Sequence, residues 1–171
     1  RGNISNKGII YFSPYFNDKK MFKKILNLIK DYKSIIFHIY SNLKFDEFKK
    51  YDHLKFKKIG NDFEKDLMDC KFIISSSGHQ LISESISCDI PLYIFAFNTF
   101  EQNYNANRVN FHKLGKLMKK CSKNEFNEFL RNIPKYQENM KKFKEKYWKK
   151  EWYDVLMDYL KKDLGLKLLK D

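Results

Sequence analysis

The residues best placed to do chemistry lie between Phe72 and Asn105: Ser75-Ser76-Ser77-Gly78, then His79, Gln80, Leu81 and Glu84, then Glu101, Gln102 and Asn105. A run of small residues between an apolar strand and a helix leaves backbone N–H groups pointing outward. With the positive end of the helix dipole they form a site for phosphate. Ser77-x-x-Gln80 also has the spacing of a capping box, and the two uses are compatible. Glu84 lies six residues after Gly78, one and a half helical turns on. A carboxylate there can accept both hydrogen bonds of a vicinal diol such as a ribose, or sit solvated in a polar stripe with Ser83 and Ser87. Glu101, Gln102 and Asn105 open the next helix and suit sugar hydroxyls, although the dipole alone favours an acid at Glu101. Arg108 and His112 continue that face. His79 is the single, weak catalytic candidate, since a lone histidine is more often structural or exposed than catalytic. A protonated ring there would touch phosphate, while the helix N-terminus opposes its charge.

Positioning these groups requires alternating elements. Apolar runs predict strands at Gly8–Ser13, Ser34–Tyr40, Leu54–Ile59, Lys71–Ser75 and Pro91–Phe97, with a weaker one at Lys116–Cys121. Helical periods predict Lys19–Tyr32, Asp62–Cys70 with Phe63, Leu67 and Met68 inward, His79–Cys88, Phe100–Leu114 stopped by Gly115, and Asn124–Asn132. A long aromatic-rich helix is expected from Pro134 to about Leu160, with Trp148, Trp152 and Tyr153 as anchors. Uniformly apolar strands alternating with helices imply an α/β, Rossmann-like, three-layer domain: a parallel sheet of about six strands, helices on both faces and a long C-terminal helix. Such sheets bind ligands at the carboxyl ends of their strands.

Composition narrows the function classes. The 171 residues fit one domain, and 43% hydrophobic with 17% aromatic content argues against disorder. The longest apolar run, Ile90–Phe97, is too short to cross a bilayer, and no secretory signal opens the chain. Cys70, Cys88 and Cys121 fit neither a disulfide framework nor a zinc pattern, and suit reduced thiols in a cytoplasmic protein. His38, His53, His79 and His112 lack metal-ligand spacing, so no metal and no cofactor is expected. The net charge of +13 accompanies abundant Lys, Asn, Ile, Phe and Tyr. That is the pattern of an A/T-biased coding sequence, favoured over an anionic membrane surface and further over nucleic acid. Charge rises along Lys135–Lys150, where cations alternate with aromatics, as on an interfacial or interdomain surface. Arg1 in place of Met suggests a segment excised from a longer chain.

The ordered set Ser77-Gly78, Glu84, Asp89-Ile90-Pro91, Glu101-Gln102 and Asn105-Ala106 resembles the C-terminal, nucleotide-sugar-binding half of GT-B glycosyltransferases. That family includes macrolide and plant UDP-glycosyltransferases and the N-acetylglucosaminyltransferase of lipid II synthesis. The resemblance implies that Gly78 and the amides of His79, Gln80 and Leu81 meet the diphosphate, with Ser13, Ser76 and Ser77 nearby. It puts Glu84 on the ribose, Ile59 and Gly60 at the base, and Glu101, Gln102 and Asn105 at the sugar. It implies a UDP-sugar as substrate, hexosyl transfer without a metal, and an acceptor half absent from these 171 residues, in the parent chain or a separate subunit. Departures are Ser76 where plant members carry histidine, Asp89 where glycine is usual, and Ser13-Pro14 in place of a Gly-Ser loop. Two other readings stand beside it. One is a non-catalytic basic α/β domain on an anionic membrane or nucleic acid; the other is a UDP-sugar epimerase-like fragment, which the missing catalytic carboxylates oppose.

Overall fold

The computed structural model describes residues 6–13, 18–58, 60, 62–97 and 99–148. Six strands, β1 (Lys7–Tyr11), β2 (Ile36–Tyr40), β3 (Leu54–Lys57), β4 (Phe72–Ser76), β5 (Leu92–Phe95) and β6 (Gly115–Leu117), alternate with helices. These are α1 (Lys19–Ile29), α2 (Asp62–Met68), α3 (His79–Ser87), α4 (Phe100–Phe111), α5 (Lys123–Arg131) and α6 (Ile133–Tyr147). Among the described residues a 3-10 turn, Asp46–Phe48, follows β2 and is not legible in the sequence as an element. All strand pairs are parallel, in the order β3-β2-β1-β4-β5-β6. The order reverses between β1 and β4, where Ile10 pairs with Ile74 and Tyr11 with Ser75. In open α/β sheets that reversal opens a crevice at the strand ends.

Alternation along each strand feeds two cores. Ile10, Phe37 and Ile74 pack with Phe22 and Ile25 of α1 and with Phe126 and Phe129 of α5. Ile9 and Ile73 face the other side, against Leu67 of α2, Leu81 and Ile86 of α3, Ala106 and Val109 of α4, and Met140 of α6. Every residue of β4 is buried, as expected of a central strand covered on both faces.

Two local expectations change. Gly115 does not stop α4; it opens β6, where an added Cβ would lie 2.0 Å from the Leu92 carbonyl oxygen. The helix ends instead at Lys113 (φ 54°), with Leu114 N–H donating to Val109 O and Lys113 N–H to Asn110 O. That is a Schellman closure made by a non-glycine residue. Helix α3 ends alike: Asp89 (φ 54°) occupies the left-handed position, with Ile90 N–H donating to Ser85 O and Asp89 N–H to Ile86 O. Helix α6 then clamps both ends. Gln137 donates to Asp89 O (3.3 Å), Asn139 to Lys113 O (3.0 Å), and Lys144 to Ser87 O (3.1 Å). These donors satisfy carbonyls that helix ends leave orphaned. Met68 is 71% exposed rather than inward. The extension of α6 towards Leu160, with Trp152 and Tyr153, lies outside the described residues. Among those described, no helix is long and apolar enough to cross a membrane.

Candidate functional site

A cleft of about 840 Å³ opens at the carboxyl ends of the strands, at the reversal point. Tyr11 lines it at the end of β1 and Ser13 just beyond, Ser75 and Ser76 at the end of β4, and Gly78, His79, Gln80, Leu81 and Glu84 at the start of α3 and along it. Gly60, Phe63, Leu67 and Met68 form the facing wall, and Gln102 contributes from α4.

The turn from β4 into α3 is held from behind. Ser77 is fully buried; its hydroxyl donates to Gln102 O (2.7 Å), and its carbonyl accepts from Asn105 Nδ2 (3.0 Å). The capping-box reading of Ser77 is therefore overturned: Gly78 is the N-cap, and no side chain caps α3. Ile82 N–H donates to Gly78 O (3.2 Å), so the amides of His79, Gln80 and Leu81 precede the hydrogen-bonded helix. Gly78 has ordinary extended angles (φ −67°, ψ 134°), and a Cβ added there would meet nothing within 4 Å. Neither strain nor crowding from the protein requires glycine, and the bare backbone leaves room for a ligand. Gln102 is buried, its Oε1 accepting from Phe97 N (3.2 Å) and its own N–H bonded to the Thr99 hydroxyl (3.3 Å).

Glu84 is half-buried in the cleft wall, and its Oε1 accepts from Gln80 Nε2 (3.0 Å). The second carboxylate oxygen has no partner among the described residues. His79 Nδ1 lies 3.2 Å from Glu101 Oε1, and both side chains are exposed at the mouth.

The facing wall is fixed by a buried ionic cluster. Asp66 of α2 points into the sheet, where Oδ2 accepts from Lys57 Nζ (2.7 Å), Tyr40 Oη (2.6 Å) and His38 Nδ1. Lys7 Nζ lies 3.3 Å from Oδ1 and 2.7 Å from Asp69 Oδ2. Burial alone would raise the Asp66 pKa, but hydrogen bonds from Lys57, Tyr40 and His38 outweigh it and hold the carboxyl well below the usual range. Phe63 wedges between Tyr11 and Tyr40, with ring centroids at 5.4 and 5.0 Å. Helix α2 is thereby tied to β1, β2 and β3.

The sequence profile of glycosyl transferase family 1 matches residues 9–134, from β1 to the start of α6. The chain belongs to glycosyl transferase family 1. Solved structures with the same fold include the spinosyn forosaminyltransferase SpnP (TM-score 0.74, 10% identity, 91% of this chain and 43% of that one). A second is Phytolacca americana UGT2, complexed with UDP-2fluoro-glucose and pterostilbene (0.72, 13%, 92% and 41%). A third is the spinosyn rhamnosyltransferase SpnG with thymidine diphosphate (0.62, 10%, 81% and 40%). No curated protein sequence matches. This family 1 chain is thus a Rossmann-like GT-B domain spanning less than half the length of those structures.

Of the residues singled out from sequence, Ser13, Gly60, Ser76, Gly78, His79, Gln80, Leu81, Glu84 and Gln102 line one cleft. Ser77 and Asn105 stand behind it, Glu101 stands at its mouth against His79, and Ile59 lies outside the described residues. Tyr11, Phe63, Glu64, Leu67, Met68, Ser87 and Cys88 also line the cleft and were not foreseen. The available signal was the spacing 63, 64, 67 and 68, one helical face.

Proposed function

We propose that this domain is the donor-binding half of a glycosyltransferase and holds a nucleoside diphosphate sugar in the cleft between α2 and α3. One observation carries the reading: an uncapped α3 N-terminus and Glu84 open into the same cleft, at the sheet's reversal point. The amides of His79, Gln80 and Leu81, with Ser13 and Ser76 beside them, take the diphosphate; the helix dipole favours its charge there. Glu84, braced by Gln80, accepts from the ribose hydroxyls. The base lies along Gly60 and Phe63, with Ile59 adjoining in sequence. Gln102 faces the transferred hexose, with Glu101, Asn105 and His79 at that end of the site, and Ser77 holds the turn from behind. During transfer the sugar–diphosphate bond breaks as the acceptor oxygen bonds the sugar carbon. Charge grows on the leaving diphosphate, where preorganised donors count most. The acceptor and the base that takes its proton belong to an N-terminal half, in the parent chain or a separate subunit.

Isothermal titration with UDP, UDP-hexoses and thymidine diphosphate tests this. Wild type should bind nucleoside diphosphates saturably. Glu84→Gln should weaken UDP by about tenfold, the worth of hydrogen bonds to a charged group, and thymidine diphosphate less, because it lacks the 2′-hydroxyl. Gly78→Ala should weaken binding with stability unchanged. A wild type that binds none of these nucleotides, or a Glu84→Gln variant that binds UDP as wild type does, would overturn the reading.

A further inference from the structure

Helix α4 carries a small apolar core side and, among its polar residues, a separate row of exposed aromatics. Ala106, Val109 and the buried Gln102 face the core, while Phe100 is 88%, Tyr104 56% and Phe111 72% exposed. Phe100, Tyr104, Arg108 and Phe111 follow at steps of four, four and three, so they lie along one outward face about 16 Å long. Most of the large exposed hydrophobic side chains among the described residues lie here or at the end of α6, where Tyr147 and Trp148 are also exposed.

The rings form one strip. Phe100 stacks on Tyr104 (6.3 Å between centroids), and the Arg108 guanidinium sits 5.7 Å from the Phe111 ring. Phe111 meets His112 at 5.1 Å, His112 meets Tyr147 at 5.9 Å, and Lys146 Nζ lies 5.0 Å over Tyr147. His112 lies close enough to Arg108 and Lys146 that, after burial, their charges lower its pKa. The strip therefore presents two permanent cations among its aromatics. The only acid on α4, Glu101, is engaged by His79. A contiguous row of large exposed aromatics on a helix marks an interaction surface. Nothing among the described residues covers this face.

We propose that the strip docks the domain on an anionic lipid surface. Phe, Tyr and Trp are side chains that settle at the boundary between headgroups and acyl chains. Flanking cations complement the charge of anionic lipid, each adding roughly fivefold to binding. The chain's net charge of +13 points the same way, and α6 adds Lys135, Lys141, Lys142 and Lys146 against Glu138 and Glu145, while Lys144 pairs with Asp89. Because the strip starts beside Glu101, a docked surface would lie next to the mouth of the cleft. No nucleotide enters this proposal, so it stands or falls apart from the donor-site reading.

The test is co-sedimentation, without nucleotide, with vesicles of phosphatidylcholine alone or mixed with phosphatidylglycerol. Wild type should bind the mixed vesicles at least about tenfold more tightly. Phe100→Ser/Tyr104→Ser/Phe111→Ser should lose that binding while its circular dichroism matches wild type, since all three side chains are exposed. Arg108→Gln/Lys146→Gln should lose the preference for anionic lipid. Lys20→Gln/Lys24→Gln, on α1 at the opposite face of the sheet, should keep it. No binding, equal binding to both vesicles, or an equal loss in the α1 variant overturns the proposal. So does self-association of wild type that the triple serine variant abolishes without any lipid binding, which would make the strip a contact between two copies.

Discussion

Asp66→Asn offers the sharpest check on how the cleft's facing wall is built. The substitution keeps side-chain shape and removes the charge that Lys57, Tyr40, His38 and Lys7 share. Breaking a buried pair by removing one partner costs about 3–5 kcal/mol, because the partner charge stays buried. Lys57 is the most exposed member and relaxes towards water, and the amide oxygen keeps one acceptor. We therefore expect the lower end, about 3 kcal/mol at pH 7, a fall in Tm of about 6–12 °C for a domain of this size. The sign of the pH dependence follows from the depressed Asp66 pKa. Its contribution is fully present above the unfolded carboxyl value and is lost as pH falls below it. Each pH unit well below that value removes about 1.4 kcal/mol, so the gap between wild type and variant should narrow by about 1 kcal/mol between pH 4.5 and pH 3. Paired urea unfolding curves at both pH values measure this. A gap under about 1 kcal/mol at pH 7, or one that does not narrow, would refute the reasoning.

Two substitutions two residues apart should act in opposite directions. Gly115→Ala forces a Cβ against the Leu92 carbonyl and should destabilise by about 3 kcal/mol. Lys113→Gly relieves the left-handed backbone at φ 54° and should stabilise by about 0.5–1 kcal/mol after the entropy of the unfolded glycine is counted. Urea midpoints shifting the same way for both would contradict this account of the α4–β6 junction. Native-state thiol labelling at pH 8 should leave Cys70 until last, since burial pushes its thiol up to about 12 and only the thiolate reacts. Cys88 lines the cleft, so UDP should slow its labelling; a rate indifferent to UDP would count against nucleotide in that cleft.

Much of the fold was readable from local pattern. The strands expected at Ser34–Tyr40 and Lys71–Ser75 appear as Ile36–Tyr40 and Phe72–Ser76. Helix α3 starts at His79 as expected, because a small-residue turn and helical period are properties of adjacent residues. Ends were harder. Glycine is the usual helix stop, yet Lys113 and Asp89 take the left-handed positions while Gly115 serves a close strand contact. That contact involves Leu92, far away in the chain.

The chain by itself determined that a small-residue turn opens the helix that carries Glu84, since helical pitch sets their separation whatever surrounds them. Tertiary structure decided what encloses them. Ser77 holds the turn through Gln102, twenty-five residues away, instead of capping its own helix. Helix α2 forms the facing wall because Asp66 reaches Lys7 across fifty-nine residues. Such pairings arise only when the sheet brings distant strands side by side, and no local window of sequence carries them.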